Sequence, residues 1–374
     1  MRILYVYSAL AIWGGLERVL IEKMNYLADT EGYEVFIFTY DQGTHPFPFS
    51  LSPKVVHRDL NVLYYQQYRY CGLKKIYYKY KLQKILIERL KSGIKEIIPD
   101  IIVCPRVDLL GYILKSKGDI PLIFESHSSS KWIAMEKSGI TWFIKQFYYN
   151  RLVKRVQMVV ALTEGDAVEW RKIANNVRVI PNIVHLNNSG LYCSCQSKSA
   201  IFVGRVSLQK DIPCLLRIWY LVQKRFPEWQ LHLYCERRDE PTSTIQDTEQ
   251  MNANIYIHEP THDIFDKYLE HSMLLLTSCY EPFGLVLPEA MSCGLPVISF
   301  DCPYGPADII SDGVDGFLIK NRNINDYVEK ICFLIENENI RIKMGQEGIL
   351  SSQRFKASNI MPQWIQLFNQ LSKH

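Results

Sequence analysis

The stretch Met273-Leu-Leu-Leu-Thr-Ser-Cys-Tyr-Glu281-Pro-Phe-Gly284-Leu-Val-Leu-Pro288-Glu289-Ala-Met-Ser-Cys-Gly294-Leu-Pro296-Val-Ile-Ser-Phe300 decides the reading of the fold. Residues 273–276 are an apolar run of strand length, and a glycine-bearing loop follows it. Pro288 brings no amide donor and is tolerated only near a helix start, so a helix begins just before it. A second apolar run, 297–300, completes a strand, loop, helix and strand, the pattern of two parallel strands joined by a crossover helix. Gly284 permits close backbone approach to a ligand, and the unpaired amides of the first helical turn can face an anion or a hydroxyl. Glu281 precedes that turn and Glu289 lies inside it, so the two carboxylates can reach different parts of one extended ligand. A capped surface helix with two solvated glutamates would show the same spacing.

The pattern extends in both directions. Upstream and downstream of it, strands are predicted over 200–203, 231–234, 255–257, 273–276, 297–300 and 317–319. An earlier series covers 3–7, 35–39, 101–103, 122–124, 158–162 and 177–180, with helices over 15–28, 74–95 and 142–156. Between the series lies a polar stretch with Asn187-Asn188-Ser189-Gly190. The expected organisation is an N-terminal Rossmann-like domain over 1–183, a linker over 184–199 and a C-terminal Rossmann-like domain over 200–353. A closing helix over 354–374 would cross back to the first domain. Two doubly wound halves make a cleft, and ligands of open parallel sheets bind where strands end, so the important residues should follow strands directly.

Length and composition agree with that plan. The chain has 374 residues, 48% hydrophobic and 22% charged, enough for two cores and too apolar for disorder. Several of the ten cysteines lie inside apolar runs rather than in a framework, and they read as reduced and intracellular. Cys193-Ser-Cys195 is spaced too closely for a CxxC pair. The start, Met1-Arg-Ile-Leu-Tyr-Val-Tyr, reads as a first strand and not as a signal peptide. No run approaches the ~18 apolar residues of a spanning helix, so any membrane contact would be peripheral. There is no Asp-x-Asp triplet, no P-loop and no G-x-G-x-x-G fingerprint, which argues against a metal-held sugar nucleotide, an NTPase and a dehydrogenase.

The segment from Glu281 through Ile298 resembles the E-x7-E signature of retaining glycosyltransferases of family 4, together with its following A-M-x-C-G-x-P-V-I. The resemblance implies an α/β fold of the GT-B type: two Rossmann-like doubly wound parallel-sheet domains facing an interdomain cleft. It also implies that Glu281 contacts the transferred sugar, that Glu289 holds the nucleotide ribose, and that loop amides from Phe283, Gly284 and Leu285 assist. Phe202-Val-Gly204-Arg205-Val-Ser-Leu-Gln-Lys210 is similar to the family's strand followed by two cations on the diphosphate. Arg205 and Lys210 would stabilise the leaving group as its charge develops, in place of a metal ion. Gly14-Gly15 resembles the N-terminal glycine loop, with Gly15 as a donor contact, and His127 in Phe124-Glu-Ser-His127 resembles the histidine beside the reactive sugar. Alone, a Gly-Gly pair is a turn signal and a strand-end histidine is structural. Thr163-Glu164, Ile180-Pro181-Asn182 and Asp301-Cys-Pro-Tyr-Gly305-Pro306 are further landmarks, the last closest to enzymes using UDP-sugars. One departure is Cys235-Glu236-Arg237-Arg238, where the family usually has glycine after the strand. The base is expected near Glu259 to Asp263.

The expected activity is transfer of a hexose or N-acetylhexosamine from a nucleotide-sugar donor, UDP-linked by preference, to a glycan or lipid-linked glycan acceptor. No metal and no other cofactor is expected. Segment 64–95 carries nine Lys or Arg, seven Tyr and one acidic residue, Glu88, in a chain of formal charge +4. A solvated helix face has this composition, but so does a surface that meets an anionic membrane. No nucleic-acid-binding module accompanies the cations, so no nucleic-acid partner is expected. The chain is expected in the cytoplasm, peripheral on the inner face of the cytoplasmic membrane. A nucleotide-sugar epimerase or hydrolase of the same fold and a noncatalytic sugar-nucleotide-binding protein are the alternatives.

Overall fold

A computed structural model of the chain describes residues 1–127, 140–235 and 254–372. The chain divides into two compact units, Met1–Ile183 with Ala357–His374, and Val184–Lys356. Each is built on one parallel sheet.

The first sheet contains β1 (Arg2–Val6), β2 (Glu34–Thr39), β3 (Val56–Asp59), β4 (Ile101–Cys104), β5 (Leu122–Ser126), β6 (Met158–Ala161) and β7 (Val177–Val179). They lie in the order β3-β2-β1-β4-β5-β6-β7. Alternate side chains go to opposite faces. Leu4, Val6, Ile102 and Phe124 enter a core with Leu86, Leu90 and Ile94 of the helix Gly72–Ile97 and Leu152 of the helix Ile140–Val153. Glu125 is one residue along from Phe124 and turns the other way, to Lys23 of the helix Gly15–Asp29. Lys23 in turn sits 3.5 Å from the centroid of Trp364 on the helix Ala357–Leu371.

The second sheet contains β8 (Ser199–Val203), β9 (Gln230–Tyr234), β10 (Ile255–His258), β11 (Met273–Leu276), β12 (Val297–Phe300) and β13 (Gly316–Ile319), in the order β10-β9-β8-β11-β12-β13. Strand order reverses between β8 and β11, which pair directly. The loops leaving these two strands therefore emerge side by side at the sheet's carboxyl edge. Trp219, Phe202, Phe300 and Tyr327 fill the core beneath. The Tyr327 hydroxyl fastens β11 to β12, accepting from Leu276 N at 3.0 Å and donating to Ile298 O at 2.6 Å.

The expected strands all form. β3 was not anticipated, because Val-His-Arg-Asp has no apolar run; among the described residues the strand pairs only with β2, at the sheet's edge. The stretch 184–199 is counted within the second unit. It buries Val184, Leu186 and Cys195, and is tied down by Val184 N to Phe355 O at 2.9 Å and Cys193 N to Cys293 O at 2.8 Å. Its polarity hid those few anchors. All ten cysteines are free.

The edge of the second sheet carries a histidine stack. His232 Nδ1 and His258 Nε2 lie 2.9 Å apart with nearly parallel rings, and the His271 ring is 4.6 Å from that of His232. Burial, aided by His258, pulls His232 down to about 4. Burial, aided by His232, His258 and Lys267, pulls His271 down to about 3. Glu270 opposes the shift at His232. The unfolded chain, with histidines near pH ~6.5, thus binds more protons than the folded one at mildly acid pH. Stability should be full above about pH 6.5 and fall as pH drops towards 4. Thermal unfolding followed from pH 7 to 4.5 checks this: His232→Gln should show a flatter dependence than the wild type, and parallel curves would contradict it.

Candidate active site

The loop after β8 is short and tightly held. A Cβ on Gly204 would stand 3.2 Å from both Lys210 Cε and Phe202 Cζ, so glycine lets the lysine chain pass close to the backbone. Asp211 caps the helix Ile212–Gln223, its carboxylate accepting from Cys214 N at 3.3 Å. That cap fixes where the loop ends and thus where Lys210 begins.

The loop after β11 is stitched to it. Thr277 Oγ1 donates to Lys210 O at 3.1 Å, Cys279 N to Gln209 O at 2.7 Å, and Gln209 Nε2 to Tyr280 O at 3.0 Å. Arg322, just past β13, adds a clamp. Its guanidinium reaches Asp211 Oδ2 at 2.5 Å, Ser278 O at 2.7 Å and Thr277 O at 3.2 Å, and lies over the Phe300 ring. The outcome is a contact between Lys210 Nζ and Glu281 Oε1 at 2.5 Å, with side chains 14% and 6% exposed. Ser278 Oγ donates to the same Oε1 at 2.7 Å. A carboxylate and an ammonium out of bulk water hold each other more firmly than an exposed pair would. Lys210 keeps further donor capacity, since an ammonium has three N–H groups.

The backbone at Glu281 is pinned as well. Glu281 N donates to Pro303 O at 2.7 Å, while Tyr304 N and Gly305 N donate to Glu281 O at 2.9 and 2.8 Å. A Cβ at Gly305 would fall 1.8 Å from Phe283 O, so this approach requires glycine. Gly284 has φ +95°, a conformation that other residues adopt only with strain. The helix Val286–Ser292 starts directly after it, with Leu287 N bonded to Gly284 O at 3.0 Å. One first-turn amide is therefore already used. Phe283 turns its ring inward, edge-on to Phe355, and anchors the loop with its side chain. The Glu289 carboxylate is buried, and Tyr268 OH donates to Oε2 at 3.4 Å.

The structure thus brings Lys210, Glu281, Phe283, Gly284, Leu285 and Glu289 onto neighbouring loops of one unit. Arg205 follows β8 in the same unit; it is exposed and makes no hydrogen bond or ion pair among the described residues. Glu236, Arg237 and Arg238 lie outside the described residues. Among the described residues, no group of three or more His, Cys, Asp or Glu is arranged to hold a metal ion.

Gly15 and His127 belong to the first unit. Gly15 opens the helix Gly15–Asp29 after an extended Gly14, where a Cβ would meet Glu17 Oε2 at 2.4 Å. Glu17 is buried and accepts from Tyr7 OH at 2.8 Å. His127 Nε2 lies 2.9 Å from Glu125 Oε1, at ion-pair distance though without hydrogen-bond alignment. Both Glu125 oxygens accept from Lys23 Nζ at 2.7 Å. Burial would raise the Glu125 carboxyl, but the Lys23 ammonium and His127 outweigh it and hold it at about 2. Burial pushes Lys23 below its ordinary value against the pull of Glu125.

Several of these residues were not singled out from sequence. Asp211 had a signal, an Asp directly before an apolar helical run. Arg322, Lys23 and Glu125 had none, because their partners are remote in sequence, and Ser278, three residues before Glu281, carries no pattern of its own.

A pair of parallel αβ units, with cations and carboxylates on the adjoining loops of the second sheet, is the GT-B architecture of glycosyltransferases. Two family models match in succession: Glycosyltransferase Family 4 over residues 13–188 and Glycosyl transferases group 1 over residues 194–350. The chain belongs to this family 4, group 1 class of glycosyltransferases. It is 26% identical over 365 residues to an uncharacterized glycosyltransferase of Haemophilus influenzae, covering 94% of this chain and 95% of that one. It is 29% identical over 229 residues to a poly(ribitol-phosphate) alpha-N-acetylglucosaminyltransferase of Staphylococcus aureus, covering 59% of this chain but only 46% of the relative. The fold superimposes on a variant of Staphylococcus aureus TarM in complex with Fondaparinux, alpha-GlcNAc-glycerol and UDP. That match has a TM-score of 0.78 at 16% identity, over 98% of this chain and 99% of the other.

The Arg322 clamp yields a test. Arg322→Ala removes the guanidinium that joins Asp211 to the 277–278 backbone, so the Lys210–Glu281 geometry should loosen and kcat fall about tenfold or more. Arg322→Lys, which keeps charge without the fork, should recover only part. Steady-state kinetics on folded variants check this, and wild-type kcat in Arg322→Ala would contradict it.

Proposed function

We propose that this chain transfers a hexose or N-acetylhexosamine from a nucleotide sugar to a glycan or lipid-linked glycan acceptor, in assembly of a surface polysaccharide. The transfer retains anomeric configuration and uses no metal ion. The observation that carries the reading is the Lys210–Glu281 contact, which places a held cation beside a held carboxylate on the loops after β8 and β11.

In this reading Lys210 and Arg205 meet the diphosphate of the donor, and Glu281 orients the sugar being transferred. Glu289 accepts from ribose hydroxyls, and the backbone of Phe283, Gly284 and Leu285 lines the sugar. Gly15 and His127 serve the same transfer from the first unit, with the Glu125 carboxylate at ion-pair distance from the imidazole. The acceptor oxygen bonds to the anomeric carbon on the face from which the phosphate departs, and its proton passes to the departing phosphate oxygen. No protein nucleophile takes the sugar. Catalysis rests on orientation and on cations placed where negative charge grows.

UDP is the favoured nucleotide. Support comes from the Asp301-Cys-Pro-Tyr-Gly305-Pro306 resemblance and from the UDP of the TarM complex. Peripheral contact of the basic segment 64–95 with an anionic membrane belongs to the same proposal. Among the described residues no helix is long and apolar enough to cross a membrane.

A donor panel assayed with lipid-linked acceptors, with product anomericity read by NMR, tests the reading. Turnover should persist in EDTA. Activity that vanishes with chelation and returns with magnesium or manganese would overturn the metal-free mechanism. Glu281→Gln, Arg205→Ala and Lys210→Ala should each lower kcat by about 10²-fold or more, and the two cation substitutions together should cost less than their sum. Near-wild-type kcat in all three folded variants would refute the assignment, and donor breakdown without acceptor would select an epimerase or hydrolase.

A further inference from the structure

The helix Gly72–Ile97 begins to bury side chains only at Leu82. Its first ten residues project from the core, a length of about 15 Å at 1.5 Å per residue. On this projection Leu73 (86% exposed), Ile76, Tyr77 and Tyr80 recur at helical spacing, all solvent-facing, with Lys74 and Lys79 between them and Lys81 directly after. An exposed apolar stripe does not by itself stabilise a soluble fold.

A second stripe lies on the helix Ile140–Val153. Phe143, Ile144 (65% exposed), Phe147 and Tyr148 face solvent, while Leu152 and Val153 enter the core. The two helices cover the same face of the first sheet. The helix Leu110–Leu114 lies between them: Tyr112 OH accepts from Gln83 Nε2 at 2.9 Å on one side, and Gly111 backs onto Tyr148 and Leu152 on the other. Their outer surfaces thus look away from the sheet in the same general direction.

The charge around both stripes has one sign. Segment 64–95 has nine cations against Glu88, and 140–157 adds Lys145, Arg151, Lys154 and Arg155 with no Asp or Glu. Since the chain's formal charge is only +4, the remainder is net acidic. A second copy of this chain docking on the same face would set cation against cation, which disfavours a symmetric dimer. Nucleic acid would satisfy the cations but give Leu73, Ile76, Ile144 and Phe147 nothing to bury against. A bilayer with anionic headgroups satisfies both, taking apolar side chains below the headgroups and cations among them.

We propose that these two helices form one bilayer-inserting face, in which the Phe143–Tyr148 stripe enters the acyl boundary of an anionic membrane beside the projecting turns 72–81. This deepens the membrane part of the proposed function and rests on it. The division of labour is specific: the lysines give salt-sensitive attraction, and the second stripe gives salt-resistant insertion.

Flotation with vesicles of equimolar phosphatidylglycerol and phosphatidylcholine tests it, alongside turnover on a water-soluble acceptor. Ile144→Ser with Phe147→Ser should reduce vesicle binding about tenfold or more at low and at high salt. Turnover on the soluble acceptor should stay at the wild-type level. Lys74→Glu, Lys75→Glu, Lys79→Glu and Lys81→Glu combined should reduce binding chiefly at low salt. Wild-type binding by the Ile144/Phe147 variant, with loss in the lysine variant, would overturn insertion while leaving electrostatic contact in place. No binding by the wild-type protein would overturn both membrane statements, while the turnover assay reports separately on the transfer reading. A concentration-dependent dimer in sedimentation that disappears in the Ile144/Phe147 variant would assign the face to a second copy and overturn the proposal.

Discussion

The contact between Lys210 and Glu281 sets the requirement that the rest of the second unit meets. Two side chains 71 residues apart must end 2.5 Å from each other, nearly shut off from solvent. A flexible ammonium in such surroundings loses considerable rotamer freedom, and the neighbouring structure has to supply that ordering. It does so through the backbone: the two loops bond to each other directly, Arg322 bridges them from a third, and Gly305 lets a fourth close against Phe283. The sheet makes this economical. Because strand order reverses between β8 and β11, loops distant in sequence leave adjacent strands and need to travel little to meet.

The first unit uses a different device. Lys23 and Glu125 are a buried ion pair whose desolvation is offset by two short contacts, by His127 and by the Trp364 face. This joins the first long helix, the fifth strand and the last helix of the chain. It also sets the Glu125 carboxylate at ion-pair distance from His127, the residue that follows β5.

Much of the fold was legible in sequence because parallel strands buried on both faces read as apolar runs of four or five residues, such as Met273 to Leu276. The edge strand Val56–Asp59 escaped because Val-His-Arg-Asp contains no such run. At the candidate site, Glu281, Gly284 and Glu289 were legible because their spacing lies within one loop-and-helix unit, and Lys210 because it ends a separate glycine-led loop between a strand and a helix. Arg322 was not: its partner Asp211 is 111 residues away, and Asn-Arg-Asn after a strand has no pattern. The pairing of Lys210 with Glu281 was likewise beyond sequence, which assigned one to the diphosphate and the other to the sugar without showing that they touch. Phe283 was taken for its amide, and its ring proves to be an anchor.

The central claim is that Lys210, held by Glu281, and Arg205 meet the phosphates of the donor. Calorimetric titration of UDP and of uridine into the wild type and into Lys210→Ala and Arg205→Ala measures this directly, since uridine lacks the phosphates. The account predicts that each substitution weakens UDP at least about tenfold, the scale of a lost charge-assisted contact, and leaves uridine affinity unchanged. Equal losses for both ligands, or no loss for UDP, would contradict it.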